Sequence, residues 1–242
     1  MLFRSDGVLL SHNHYDHLDE RTVRQLGTRG LPFVVPTGVK ALLTGWGIPA
    51  TQVREVSWWE AVEFGGVHVT ATPSRHFSGR SPLMNDRDRS LWCGYAFTGR
   101  ERRAWYAGDT SMFDGFRAIG EALGPFDVSC IEIGAYSHFW PDVHIGPELA
   151  VDAHVMARGG LFLPVHWGTF NLALHGWTEP IERAIVAAER AGVRMVTPRP
   201  GAMIEPAAAP AVVRWWPSLP WRTVEEYPIV DARQPRQEIS NS

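Results

Sequence analysis

The stretch LLSHNHYDHLD, Leu9 to Asp19, constrains this chain more than any other. It puts His12, His14, Asp16 and His17 within six residues, directly after an apolar run that reads as a strand. Imidazole and carboxylate at this density suit Zn²⁺ and related divalent ions. A polar surface loop is the plain alternative, but it does not account for the order His-x-His-x-Asp-His at a strand end. The chain must fold so that a strand delivers a loop of ligand-type side chains.

The rest of the sequence supplies the material for such a fold. Short β-type runs (VLLS, FVVP, VREV, VHVTAT, LWCGYAF, RAWYAGD, VSCIEIG, LFLPVH and VRMVTP) are interleaved with helical patterns near 20–26, 39–45, 114–123, 147–158 and 179–191. Asp19 caps the first helix, Pro147 opens the fourth and Gly192 closes the fifth. FTGRERRAW reads as a hairpin turn. Strands alternating with helices predict α/β layers, with helices covering a sheet. From about Ala207 the pattern fails. Residues 1–206 therefore read as one domain, and 207–242 as a poorly ordered or loosely docked extension.

Composition narrows the function classes. The 242 residues are 45% hydrophobic, enough for one sizeable core. Net charge is −3 with no basic run, which argues against a nucleic-acid partner. Cys93 and Cys130 sit in apolar stretches and read as buried thiols with no disulfide framework. The opening MLFRSDGVLL lacks a cleavage site, and no apolar segment approaches bilayer-spanning length. The expectation is a soluble, cytoplasmic protein. Eleven Trp are a high count, with pairs at Trp58–Trp59 and Trp215–Trp216. Core and rim packing is the first reading; an apolar face for a lipid-like substrate, with peripheral membrane contact, is the second.

Three further ligand-type residues end apolar strands. His76 lies in TPSRHFSGR, Asp109 in YAGDT and His166 in LPVHWGTF. Alone, each reads as a hydrogen-bonded or turn-capping residue. Repeated at strand ends, where sites assemble in layered α/β folds, they read as one constellation.

The set His-x-His-x-Asp-His, lone His, Gly-Asp-Thr, lone His resembles the metallo-β-lactamase superfamily. SHNHYDHLD, RHFSGR, LWCGYAF, YAGDTSMFDGF, IGAYSHFW, VHIGPELAVDAH and PVHWGTFNLALH resemble the branch of N-acylphosphatidylethanolamine-hydrolysing phospholipase D and its bacterial relatives. The resemblance runs in order over roughly residues 8–200. It implies the four-layer αββα fold and two divalent metals, zinc first with iron or manganese as alternatives. His12, His14 and His76 would hold one metal, and Asp16, His17 and His166 the second. Asp109 would bridge them. It further implies hydrolysis by a hydroxide bridging the metals, with Asp16 managing its proton.

His144, in DVHIGPEL before a helix, is implied as a substrate contact near the phosphate or leaving group; a capping or surface role competes. Arg80 is read either as a phosphate contact or as a surface arginine. His68, His138, His154 and His175 read as structural. In relatives, a considerable stretch precedes the ligand motif, with words resembling Trp-hydrophobic-Gly-His-Ala/Ser-Thr and Thr-Asp-Pro. None occurs here, so the resemblance implies a chain lacking its first strands, with an exposed sheet edge. The functions weighed are a phosphodiesterase acting on a small-molecule or lipid-like substrate, a lactonase, and a truncated domain that binds metal without turnover. RNA processing is disfavoured by the charge balance.

Overall fold

The structure, a computed structural model, describes residues 5–233. The chain divides into two compact units, Met1–Gly108 and Asp109–Ser242.

The first unit begins with a three-stranded parallel sheet of β1 (Val8–Leu9), β2 (Phe33–Pro36) and β3 (Val53–Val56), in that order. Helices α1 (Glu20–Thr28) and α2 (Val39–Gly45) connect them. Asp19 caps α1 as expected: its carboxylate accepts the Thr22 N–H at 2.7 Å. All four residues of β2 are buried, so the strand is covered on both faces. Side-chain alternation explains how. Phe33 and Val35 point one way and join Leu18, Val23, Val39 and Leu43 beneath the helices. Val34 points the other way and joins Val56, Val69, Ala71 and Tyr95 against a second sheet. Leu18 and Phe33 have no exposed surface; such burial stabilises by about 1.5–3 kcal/mol per side chain.

The strands of this unit's second sheet are antiparallel: β4 (Ala61–Phe64), β5 (Val67–Thr72), β6 (Gly94–Thr98) and β7 (Arg103–Tyr106). The sequence reading missed β4. Its signal was the pair Gly65-Gly66, at φ 58° and 80°, which closes a two-residue hairpin with Phe64 opposite Val67. The hairpin turn expected in FTGRERRAW is present, with the Gly99 N–H donating to the Arg102 carbonyl at 2.9 Å.

The second unit is built on a βαβ crossover. Strands β8 (Phe126–Glu132) and β9 (Gly159–Val165) run parallel, and α4 (Pro147–Met156) connects them. Helix α4 packs on both strands and touches α3 (Gly115–Leu123) and α5 (Glu179–Ala191). Gly192 closes α5 in the left-handed conformation, φ 65°. The run VRMVTP, expected as a strand, is not one. Met195 makes a single bridge to Phe162, because Pro198 and Pro200 remove donors just beyond it.

Arg183 on α5 is 1% exposed. It pairs with Glu148 of α4 through two hydrogen bonds, at 2.8 and 3.1 Å. Residues 207–233 carry little regular structure yet lie along α5. Arg214 and Trp216 donate to Glu182 at 3.0 and 2.8 Å, and Arg222 to Glu179 at 3.1 Å. Residues 234–242 lie outside the described part. Of the Trp pairs, Trp215 and Trp216 form a cluster with Trp167, whereas Trp58 and Trp59 are exposed at 37% and 45%.

Candidate metal centre

In the first unit, β1 hands the chain directly to the ligand loop. The Leu10 N–H bonds to the Val34 carbonyl, and the Ser11 carbonyl accepts the Cys93 N–H at 2.9 Å. The chain then turns back on itself, and the His14 carbonyl accepts the N–H groups of His17 and Leu18. Leu18 anchors the far end of the loop in the core. Arg80 closes it from above. Its guanidinium donates to the Asn13 and Leu18 carbonyls at 2.9 and 2.7 Å and lies 4.0 Å over the Tyr15 ring. Arg80 is thus a clamp on this loop.

Three imidazoles converge inside the loop. His14 Nδ1 lies 2.9 Å from His12 Nε2 and 3.2 Å from His76 Nε2, with His76 delivered from the end of β5. Nitrogens bound to one tetrahedral zinc at about 2.0–2.1 Å would stand roughly 3.3 Å apart, so this donor set fits a divalent metal. Ser11 Oγ lies 3.0 Å from His12 Nδ1, placed to accept its hydrogen and turn Nε2 toward the other two rings. The His17 ring lies 4.4 Å from that of His12, and its Nε2 is 3.3 Å from Asp16 Oδ2.

The second unit gathers Asp109, Glu132, His144 and His166, whose ligand atoms lie within 4.8 Å of one another. Asp109 follows Gly108, which holds φ 67° in a place where a Cβ would meet the Cys93 carbonyl at 2.7 Å. His166 directly follows β9 at φ 58°, a strained conformation for a non-glycine residue. Gly134 permits this close approach, since a Cβ there would fall 2.3 Å from the His166 carbonyl. His166 Nε2 lies 3.7 Å from Asp109, and its Nδ1 lies 3.5 Å from Glu132. Burial lowers the basicity of His144, but the Glu132 charge and hydrogen bond outweigh it and raise the pKa above the usual histidine value.

Glu132 escaped the sequence reading. The available signal was a carboxylate in the apolar run SCIEIG at a strand end. The remaining histidines have structural partners. His68 pairs with Glu63, and His138 stacks on Tyr227. His154 is hydrogen-bonded to Ser129, and His175 stacks on Tyr136. Both cysteines are free, and burial pushes their thiols up to about 12 for Cys93 and about 11 for Cys130. Neither is a thiolate at neutral pH. Among the described residues, no helix is long and apolar enough to cross a membrane.

Residues 2–167 match the family described as Beta-lactamase superfamily domain. An uncharacterized protein of Mycobacterium tuberculosis is 43% identical over 215 residues, covering 87% of this chain and 57% of its own length. N-acyl-phosphatidylethanolamine-hydrolyzing phospholipase D 1 of Caenorhabditis elegans is 37% identical over 179 residues, covering 69% of this chain and 50% of its own length. The chain thus spans about half the length of these relatives. Among solved structures, the metallo hydrolase Igni18 of Ignicoccus hospitalis superposes with a TM-score of 0.64 at 20% identity, over 82% of this chain and 78% of that one. The resemblance stated from the motifs holds: with its ligand loop, its layered sheets and this match, the chain belongs to the β-lactamase superfamily and has the metallo-β-lactamase hydrolase fold.

Proposed function

We propose that this protein is a two-metal hydrolase acting on a phosphodiester, in the manner of a phospholipase D. The observation that carries the reading is the convergence of His12, His14 and His76 on one point, nitrogen to nitrogen at 2.9 and 3.2 Å. The resemblance assigns these three to one metal, Asp16, His17 and His166 to the other, and Asp109 to both. Zinc suits the imidazole-rich set; iron and manganese accept the same donors. Bound divalent cations supply the charge that makes water nucleophilic at neutral pH and steadies the leaving oxygen.

The chain's own side chains do the rest. Asp16 accepts the proton of the attacking water. His144 faces the phosphate or the leaving group. A pocket in the second unit has a mixed lining in which the rings of Trp167, Phe170 and Trp177, beside Thr169, Asn171 and His175, offer apolar contact to a lipid-like substrate. The C. elegans relative, named for hydrolysing a phospholipid, supports the phosphodiester. Two free thiols with high pKa suit a reducing, cytoplasmic location.

The test is turnover by the metal-loaded protein of bis(para-nitrophenyl) phosphate, an N-acylated phosphatidylethanolamine and a set of lactones. Phosphodiester cleavage is expected. Lactone hydrolysis alone would make it a lactonase, and metal binding without turnover an inactive domain.

A further inference from the structure

We infer that Glu132 is the positioning residue for His144, fixing both the plane of its ring and which ring nitrogen carries the hydrogen. The inference rests on the reading that His144 meets the substrate.

Glu132 is 1% exposed at the end of β8. A buried carboxylate costs several kcal/mol unless its oxygens are hydrogen-bonded, so both oxygens need donors. Both have them. Oε1 accepts the backbone N–H of Thr110 at 2.6 Å. That group can only donate, and it follows directly on Asp109, so it fixes the rotation of the carboxylate. Oε2 is thereby aimed at His144 Nδ1, 2.7 Å away. A carboxylate only accepts, so His144 must present Nδ1–H. In the neutral ring the lone pair is then on Nε2. The ring also lies nearly parallel to that of His166, 16° between planes at 5.9 Å, so its plane is set along with its tautomer. The rival assignment makes Glu132 a metal ligand, since its oxygens lie within reach of Asp109 and His166.

Glu132→Gln separates the two. Glutamine has one acceptor, and the Thr110 N–H requires it. The amide NH₂ then faces His144 Nδ1 and demands an acceptor there, which moves the imidazole hydrogen to Nε2. The ¹⁵N–¹H imidazole spectrum of the 242-residue chain should show His144 with its hydrogen on Nδ1 in the wild type and on Nε2 in Glu132→Gln. The variant should keep its full metal content and lose about 10–100-fold in kcat on bis(para-nitrophenyl) phosphate, with KM little changed. In the His144→Gln background, Glu132→Gln should cost nothing further, because residues acting as a unit are not additive.

A wild-type neutral His144 with its hydrogen on Nε2 overturns the inference, and this needs no variant to fold. Loss of one metal equivalent in Glu132→Gln overturns it in favour of the ligand assignment. Additive losses in the double variant overturn it too. If the wild type cleaves no phosphodiester, the functional reading fails, and the imidazole spectrum still decides the role of Glu132.

Discussion

Ser129 Oγ and His154 Nδ1 lie 2.6 Å apart inside the second unit, joining β8 to α4. His154 is 2% exposed, and burial pushes its pKa down from 6.5 to about 4. The unfolded chain therefore takes up a proton near pH 6.5, whereas the folded chain does so only near pH 4. Stability from this group is complete above pH 6.5 and falls as the pH drops toward 4, by on the order of 3 kcal/mol. Urea unfolding across that range should show the decline in the wild type and a smaller one in His154→Gln. Equal slopes would assign the acid sensitivity to other groups.

The same histidine serves as a control for the site. Asp109→Asn and His166→Gln should each abolish hydrolysis and lower metal content, because both residues belong to the cluster in the second unit. His154→Gln should retain turnover despite a lower melting temperature. A folded His154→Gln as inactive as Asp109→Asn would mean the ligands are wrongly assigned.

Arg80 ties together the two ends of the ligand loop. Arg80→Ala leaves the Asn13 and Leu18 carbonyls without its charged donor, which costs about 1–3 kcal/mol. Metal affinity, measured by competition with a chelator, should fall at the same time, because His14, Asp16 and His17 sit within the clamped segment and His12 directly precedes it. Lower stability with unchanged metal affinity would show that the loop keeps its shape without the clamp.

Arg183 and Glu148 present the stability counterpart. Arg183→Met removes the buried cation and leaves the Glu148 carboxylate without its two-point partner, for about 3–5 kcal/mol, while Glu179 keeps Arg222 and Tyr136. Arg54→Ala, at an exposed pair with Glu60, should cost no more than about 0.5 kcal/mol. Equilibrium denaturation of the two variants checks the contrast.

Three of the five helices carried a local device. Asp19 caps α1, Pro147 opens α4 and Gly192 closes α5. Most strands that were read correctly have at least one fully buried apolar residue, as in VREV and RAWY; β4, AVEF, alternates exposed and half-buried residues and carries no such signal apart from its Gly-Gly turn. VRMVTP looked like a strand by composition, but prolines decide its pairing. At the site, the ligand-type residues declared themselves by spacing and by position at strand ends. Glu132 did not, because its role depends on the Thr110 amide and His144, which lie 22 and 12 residues away and meet it only after β8 and its neighbouring loops have folded. The clamp by Arg80 was hidden for the same reason, reaching the loop from 62 and 67 residues away.

The proposed pair of metals is checked by counting them. Elemental analysis of the 242-residue chain after reconstitution with zinc and removal of free metal should give about two equivalents per chain, since seven donors exceed what one tetrahedral ion takes. His76→Ala should reduce the count to about one. A wild-type protein that melts cooperatively and holds one equivalent or none would rule out a two-metal centre.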